Sequence, residues 1–422
     1  MRIILRTGVA GLLIAIVWTV GLIGLGLVLM PRFDASASPT GMIADAKSLA
    51  EKHVGPLAII VIDDGQVAAM HYQSTGNPIG PSSRFQMASV SKWVAAWTVL
   101  RLAEQGRIDL DAPVNQYLKR WKLTGNEGVL AQITPRRLLA HSAGLTDGLG
   151  YCGFQGVAEV QSLPASLSKA DDACPGLDGR TRAGEKPGQI WRYSGGGYGV
   201  LQLLVEDVTG ESFGAYAKRE VLIPLGMTRS TFDATEAAAG LVDSYNSNGQ
   251  LEATRFYANV AAASLYSTPE DLVRFVLAHT DGNDGTKAGR DVLSRATLKD
   301  MTTGHANMFG IPVWGLGVSL YSQINGLGLV IGHDGGNRPA INTTVRLDIS
   351  QRDAIVVLAT GSSGLAGRIG GAWSAPRIPN ITPLRLYGSV FRMAPWIGGG
   401  ILLSFLFASF LGWRALRRQK AA

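Results

Sequence analysis

Apolar positions fall into three regimes along this chain. At the two ends stand uninterrupted runs: Thr7–Met30, 24 residues without a formal charge, and Met393–Trp413, 21 residues. At about 1.5 Å per residue these make helices of roughly 36 and 31 Å, matching a hydrocarbon core of about 30 Å. Short apolar runs bounded by turn residues form the second regime. Leu57–Asp63 and Gln66–Tyr72 flank Asp64-Gly65, a hairpin signal, and Trp314–Tyr321, Leu327–Ile331, Asn342–Asp348 and Ala354–Thr360 repeat the strand pattern later. The third regime, roughly 87–310, has helical periodicity. Its clearest case is Val90–Gln105, where Trp93, Ala96, Trp97, Leu100 and Ala103 lie on one stripe and Gly106 closes it. Met42–His53 reads as a separate amphipathic helix. Strands at both ends with helices between predict an α+β body: an antiparallel sheet of N- and C-terminal strands around a large helical insertion, flanked by two transmembrane helices.

Charge sharpens the picture at the ends. Of 39 basic and 32 acidic residues, eight bases and one acid lie in 1–34 and 386–422, which leaves the body balanced at 31 of each. A balanced body carries no electrostatic footprint for nucleic acid, so the net charge of +7 is a property of the termini. Arg2 and Arg6 precede the first run, and Arg414, Arg417, Arg418 and Lys420 follow the core of the second. Positive flanks stay cytoplasmic, which directs both termini inward and 35–385 outward, with the bilayer as a partner. Ala35-Ser36-Ala37 offers the alternative of a cleaved signal peptide, but the run before it exceeds the usual apolar segment of about 7–15 residues. For the second run the alternative is a buried core helix, since Gly398-Gly399-Gly400 weakens it as a helix. The expected organisation is an anchor at 1–34, a folded body at 35–365, a linker at 366–392 marked by Pro376, Pro379 and Pro383, and a span with basic tail at 393–422.

The two cysteines, Cys152 and Cys174, have no nearby histidine and do not form a zinc pattern. In an oxidising compartment they can close a disulfide worth about 3 kcal/mol; the alternative is two free thiols. The six histidines form no ligand cluster, and among 53 glycines a pattern such as Gly326-Leu327-Gly328 arises by chance. No metal and no cofactor are expected.

Candidate chemistry starts at Ser89-Val90-Ser91-Lys92, an S-x-x-K pattern opening the helix of Val90–Gln105. At i and i+3 the hydroxyl and the amine share one helical face. Serine needs a base, and lysine serves as one only if burial or neighbouring charge depresses its pKa from about 10.4. Phe85, Met87, Trp93 and Trp97 offer an apolar wall for that. A second copy, Ser166-Leu167-Ser168-Lys169, follows Pro164 and runs into Ala170-Asp171-Asp172; it is expected to be a solvated loop. Further on, Tyr193 precedes Ser194 and a glycine run, where it can relay a proton between Lys92, Ser89 and a leaving group. His333-Asp334-Gly335-Gly336 lies between two strand-like runs. In Ala140-His141-Ser142-Ala143-Gly144 an α/β-hydrolase elbow is the rival reading. Ala140 stands where that turn wants glycine, and the preceding segment is helical, so His141 and Ser142 are expected to end a helix.

Taken in order, these blocks resemble the serine β-lactamase and penicillin-binding-protein family, in its class C β-lactamase-related branch of carboxypeptidases, D-aminopeptidases and esterases. The resemblance runs from about 45 to 360. It rests on Met87-Ala88-Ser89-Val90-Ser91-Lys92, Ile108-Asp109-Leu110-Asp111-Ala112-Pro113-Val114, Ile133–Leu145, Pro224-Leu225-Gly226-Met227, Leu265–Leu272 and His333-Asp334-Gly335-Gly336. It implies Ser89 as nucleophile, Lys92 as its base, Tyr193 as the motif tyrosine and His333 where many relatives have the lysine of Lys-Thr-Gly. The oxyanion would face the backbone N–H groups of Ser89 and Gly336, with Gly335 and Gly336 binding substrate. One position departs: where relatives have Tyr-x-Asn, this chain has Tyr193-Ser194-Gly195, so an amide that would hold a substrate's acylamino group is absent. The expected function is a serine hydrolase of a bacterial inner membrane, its body outside, acting on a small or peptide-like acyl substrate, an ester or amide. A dedicated β-lactamase and a non-catalytic sensor with the same fold are the alternatives. Oligomeric state is not legible.

Overall fold

The computed structural model describes residues 2–34, 37–147, 151–378 and 382–420. In chain order the main elements are α1 (Arg2–Val28), α2 (Pro39–Leu49), β1 (Leu57–Asp63), β2 (Gln66–Gln73), α3 (Ser91–Glu104) and α4 (Gly195–Thr209). They continue as β3 (Ala306–Met308), β4 (Ile311–Trp314), β5 (Ser319–Ile324), β6 (Leu327–Asn337), β7 (Ile341–Asp348), β8 (Asp353–Thr360), α5 (Leu365–Ser374) and α6 (Pro383–Lys420). They form two compact units, Arg32–Pro379 on one hand and Met1–Pro31 with Asn380–Ala422 on the other.

In the larger unit eight strands form one antiparallel sheet, in the order β2-β1-β8-β7-β6-β5-β4-β3. The hairpin joining β1 and β2 turns at Asp64 and Gly65, both at positive φ, as a two-residue connection requires. β1 pairs with β8, Leu57 opposite Ala359 and Ile62 opposite Ala354, so the two ends of the body meet inside the sheet, as its second and third strands. β1 is buried on both faces, which is why its sequence is a continuous apolar run rather than an alternation. On one face Leu57, Ile59, Val61, Ile355 and Val357 pack with Met42 and Ala46 of α2 and Ile369 and Trp373 of α5. The other side carries the helical insertion, whose buried axis is α3. Gly317, between β4 and β5, brings the sheet against α3: a Cβ there would lie 2.2 Å from that of Ala96. The expected run Trp314–Tyr321 therefore breaks into two strands around Gly315–Gly317.

Two expectations are corrected here. The expected linker does not start at 366, because α5 is part of the core, followed by a further short turn at Ala375–Arg377. Its apolar residues are spaced for a helix, but glycines interrupt them, and Gly370 is small because Thr344 leaves a Cβ only 2.7 Å. Nor is Ser166–Lys169 a solvated loop: Leu163–Ser168 is a helix with Pro164 in its first turn, where no backbone N–H is needed, and it buries Leu163, Ser166 and Leu167.

In the other unit α1 and α6 pack on each other and contain Gly8–Val28 and Met393–Ala415, each long and apolar enough to cross a membrane. Small residues allow the approach. The Trp18 indole lies 1.8 Å from where a Cβ on Gly400 would stand, and Gly11 faces Ala408. Trp18 Nε1 donates to Trp396 O at 3.1 Å, and Ser389 Oγ to Ile23 O at 2.8 Å. The triple glycine that weakens α6 as a helix thus seats an indole.

Candidate active site

Ser89 sits in the single 3₁₀ turn Ala88–Val90 that leads into α3. The turn is pinned from the sheet side. Thr343 Oγ1 donates to Met87 O at 2.8 Å, and a Cβ on Gly335 would lie 2.5 Å from that same oxygen. Ala88 has φ +48, a left-handed conformation without the glycine that usually supplies it; such residues cost of order 1–3 kcal/mol and persist where surroundings over-determine them. Behind the turn, Ser91 Oγ accepts from Leu265 N at 2.8 Å.

One turn along α3, Lys92 is 2% exposed, with Nζ 3.3 Å from Ser89 Oγ and donating to Ala262 O at 2.7 Å. Burial pulls its amine down to about 7, and the carboxylate of Asp147 partly opposes that shift. Near neutral pH a large share of this amine is unprotonated and able to take a proton from Ser89. The Tyr193 hydroxyl hydrogen-bonds Ser89, while burial keeps that phenol well above its ordinary pKa and so protonated. Lys92 Nζ also stands 4.9 Å from the centre of the Tyr193 ring.

The helix after Tyr193 is set by its cap. Ser194 Oγ accepts from Gly197 N at 2.8 Å and donates to Asp147 Oδ1 at 2.5 Å. Asp147 Oδ2 accepts from Gly196 N at 2.6 Å. A Cβ on Gly196 would meet Thr181 Oγ1 at 2.2 Å, so this glycine is demanded by packing. Asp147 is itself buried, and burial raises its pKa against the opposing pull of Ser194, Gly196 and Lys92. Gly195 is the first residue of α4 and buried.

From the sheet, β6 presents His333 and Gly335 to this side and Asp334 to the other. His333 Nδ1 lies 2.7 Å from Asp334 O. A carbonyl only accepts, so the ring proton resides on Nδ1 and Nε2 keeps its lone pair. Burial, reinforced by Lys92, pulls His333 down to about 3, further than an ordinary histidine at about 6.5, and the ring is neutral. Gly336 pairs with Asn342 and is exposed. On the back face, Asp334 receives Thr344 Oγ1 and Arg346, which fixes β6 at this point. Arg338 is exposed.

Ser89, Lys92, Tyr193 and His333 are therefore brought together in one place. Three neighbours were not read as site residues. His141 ends the helix Pro135–Leu139 at φ +55, as expected of a helix stop, but its ring also stacks 4.2 Å from Tyr193. Trp314 makes edge contacts with His333 at 5.3 Å, Tyr193 at 5.6 Å and His141 at 4.9 Å. Asp147 is the third. The H-S-A-G block was the available signal for His141; Trp314 and Asp147 belong to no local pattern. Cys152 and Cys174 are bonded to each other. Among the described residues no group of three or more His, Cys, Asp or Glu is arranged to hold a metal.

Residues 44–375 match the family described as Beta-lactamase. Esterase EstB of Burkholderia gladioli is 30% identical over 225 residues, 48% of this chain and 56% of that protein. Protein flp of Staphylococcus aureus is 26% identical over 192 residues, 44% of this chain and 36% of that protein. In both cases the chain spans less than two thirds of the relative's own length. Among solved structures, the D-alanine carboxypeptidase AmpC of Burkholderia cenocepacia aligns with TM-score 0.60 and 19% identity, covering 83% of this chain and all (100%) of that one. The octameric penicillin-binding protein homologue of Pyrococcus abyssi gives 0.61 at 22% identity, over 79% of this chain and 75% of that one. At such identities the likeness is one of fold.

Proposed function

The chain belongs to the beta-lactamase family, and on that footing we propose that it is a membrane-anchored, extracytoplasmic serine hydrolase that cleaves a neutral ester or small amide through an acyl-enzyme on Ser89. The observation that carries this reading is the buried Lys92 amine, held near neutrality 3.3 Å from Ser89 Oγ. In the proposed reaction Ser89 Oγ attacks the substrate carbonyl and its proton passes to Lys92. The developing oxyanion faces the backbone N–H groups of Ser89 and Gly336. Tyr193, hydrogen-bonded to Ser89, hands a proton to the leaving group as the tetrahedral carbon collapses to the acyl-enzyme. Water reverses the sequence and frees Ser89.

Preference for a neutral substrate follows from two positions. A neutral His333 offers no positive charge to a substrate carboxylate. Gly195 offers no side-chain amide to an acylamino group, each such hydrogen bond being worth about 0.5–1.5 kcal/mol net. The esterase relative is consistent with this direction. Anchoring is supported by the two apolar helices and their basic flanks.

A fluorophosphonate probe should label the full-length protein, Ser89→Ala should abolish the label and Ser142→Ala should keep it. With substrates, kcat/KM for p-nitrophenyl butyrate should exceed that for nitrocefin. Labelling that survives Ser89→Ala, or cephalosporin turnover near 10⁶ M⁻¹s⁻¹ on the general enzyme scale of about 10⁴–10⁸, would reject the reading.

A further inference from the structure

Four buried polar atoms around Tyr193 have no hydrogen-bond partner among the described residues: His141 Nε2, His333 Nε2, Trp191 Nε1 and Trp314 Nε1. Both histidine rings touch Tyr193, at 4.2 and 6.1 Å, and both touch Trp314, at 4.9 and 5.3 Å. Trp191 reaches the same cluster through Trp314, at 5.6 Å. Each histidine is 2% exposed. Buried polar groups in folded proteins nearly always find a partner, and where protein supplies none, water does.

The two imidazoles are not equivalent. His141 Nδ1 accepts from Ser194 N at 3.2 Å, so its proton is on Nε2, which is a donor. His333 Nδ1 gives its proton to Asp334 O, so its Nε2 is an acceptor. Both rings are neutral, held down by burial and by Lys92. The two indole N–H groups can only donate. His333 Nε2 is therefore the one acceptor among these four atoms, and the His141 and His333 rings pack against the same two aromatic rings, Tyr193 and Trp314.

We propose that His141 and His333, as neutral imidazoles of opposite tautomer, hold the water that deacylates Ser89. This rests on the acyl-enzyme reading above. Water has two protons and two lone pairs, and the site uses all four. One lone pair accepts from His141 Nε2–H, and one proton is given to His333 Nε2. The second lone pair attacks the acyl carbon. The second proton leaves through Tyr193 and Lys92 to Ser89 Oγ as the ester bond breaks, yielding the acid and the free serine. Neither imidazole changes its protonation. His141 is thus a positioning residue for deacylation.

Two measurements on the full chain in detergent test this. In ¹⁵N-histidine spectra at pH 7, with signals assigned by their loss in His141→Gln and His333→Gln, His141 should carry its proton on Nε2 and His333 on Nδ1. The same tautomer at both positions, or a charged ring at either, overturns the proposal whatever the activity. In stopped-flow kinetics with p-nitrophenyl butyrate, His141→Phe should slow the steady-state deacylation at least tenfold more than the acylation burst. His141→Gln, which keeps an N–H donor, should recover most of that loss. Equal loss of both steps in both variants assigns His141 to packing alone and overturns the proposal. A native protein with neither burst nor Ser89 label rejects the acyl-enzyme reading itself, and this inference with it, a result distinct from either of the others.

Discussion

Ser89-Val90-Ser91-Lys92 and Ser166-Leu167-Ser168-Lys169 have the same pattern, and the structure gives them opposite surroundings. In the first, α3 continues through the lysine for three more turns, so the amine returns to the serine on one face and is buried there. In the second, the helix ends at Ser168, and Lys169 is its extended C-cap at φ −165, ψ 110, exposed to solvent. Ser166 is buried with no partner for Oγ among the described residues. Ser168, the more exposed of the two, donates to Pro164 O and accepts from Trp121 Nε1. Spacing alone therefore carries no chemistry. The pattern has the geometry of a nucleophile and base only where the helix runs on past the lysine and apolar walls remove water from its amine.

The largest test of that contrast is the pair of lysines. Lys92→Ala should lower kcat/KM for an ester by about 10²–10⁴-fold, the span of general base catalysis, while Lys169→Ala should leave it within twofold. Comparable losses in both would mean that the second copy takes part. Next in size is the exchange His333→Lys, which places a cation where this chain has a neutral ring. It should raise the ratio of nitrocefin to p-nitrophenyl butyrate turnover by about 10–100-fold, as one hydrogen bond to a charged group is worth about 1.5–3 kcal/mol. An unchanged ratio would show that the substrate carboxylate does not reach this point.

The smallest expected effect concerns pH. An amine held at about 7 works as a base only when unprotonated, so kcat/KM should rise with pH through about 7 and level off above it. Asp147 favours the charged form of Lys92. Asp147→Asn should therefore move that acid limb to lower pH. Asparagine can still bond Ser194 and Gly196, which keeps the helix cap. A limb that moves upward, or stays in place, would separate Asp147 from Lys92.

Much of the fold was written in local pattern. β1, β8 and α3 match the predicted runs to within a residue at either end, because β1 and β8 are continuous apolar segments bounded by turn residues and α3 carries an apolar stripe of helical period closed by Gly106. α5 was not legible, since its glycines and the prolines after it resemble a linker, and the reason for Gly370 lies on a strand distant in sequence. β3 has three residues, too few to show a period. In the site, the meeting of Ser89 and Lys92 follows from helical spacing, while Tyr193 and His333 were found only through the order of the blocks. Asp147, Trp314 and the second role of His141 depend on contacts between segments remote in the chain. A lone acid or a lone aromatic has no spacing from which such contacts can be read.

The pairing of β1 with β8 also has a consequence in time. Leu57 stands opposite Ala359, about 300 residues later. At a synthesis rate of about 5–20 residues per second, β8 emerges roughly 15–60 s after β1. Until then β1 has its local companions, β2 along one edge and α2 over one face. Its second edge has no partner, and the row Ile59-Ile60-Val61-Ile62 is the kind of apolar strand that pairs readily with another copy of itself. The order in which the chain is made thus leaves an inner seam of its sheet as the last to close, and the nascent body depends on dilution or escort for the whole of that interval.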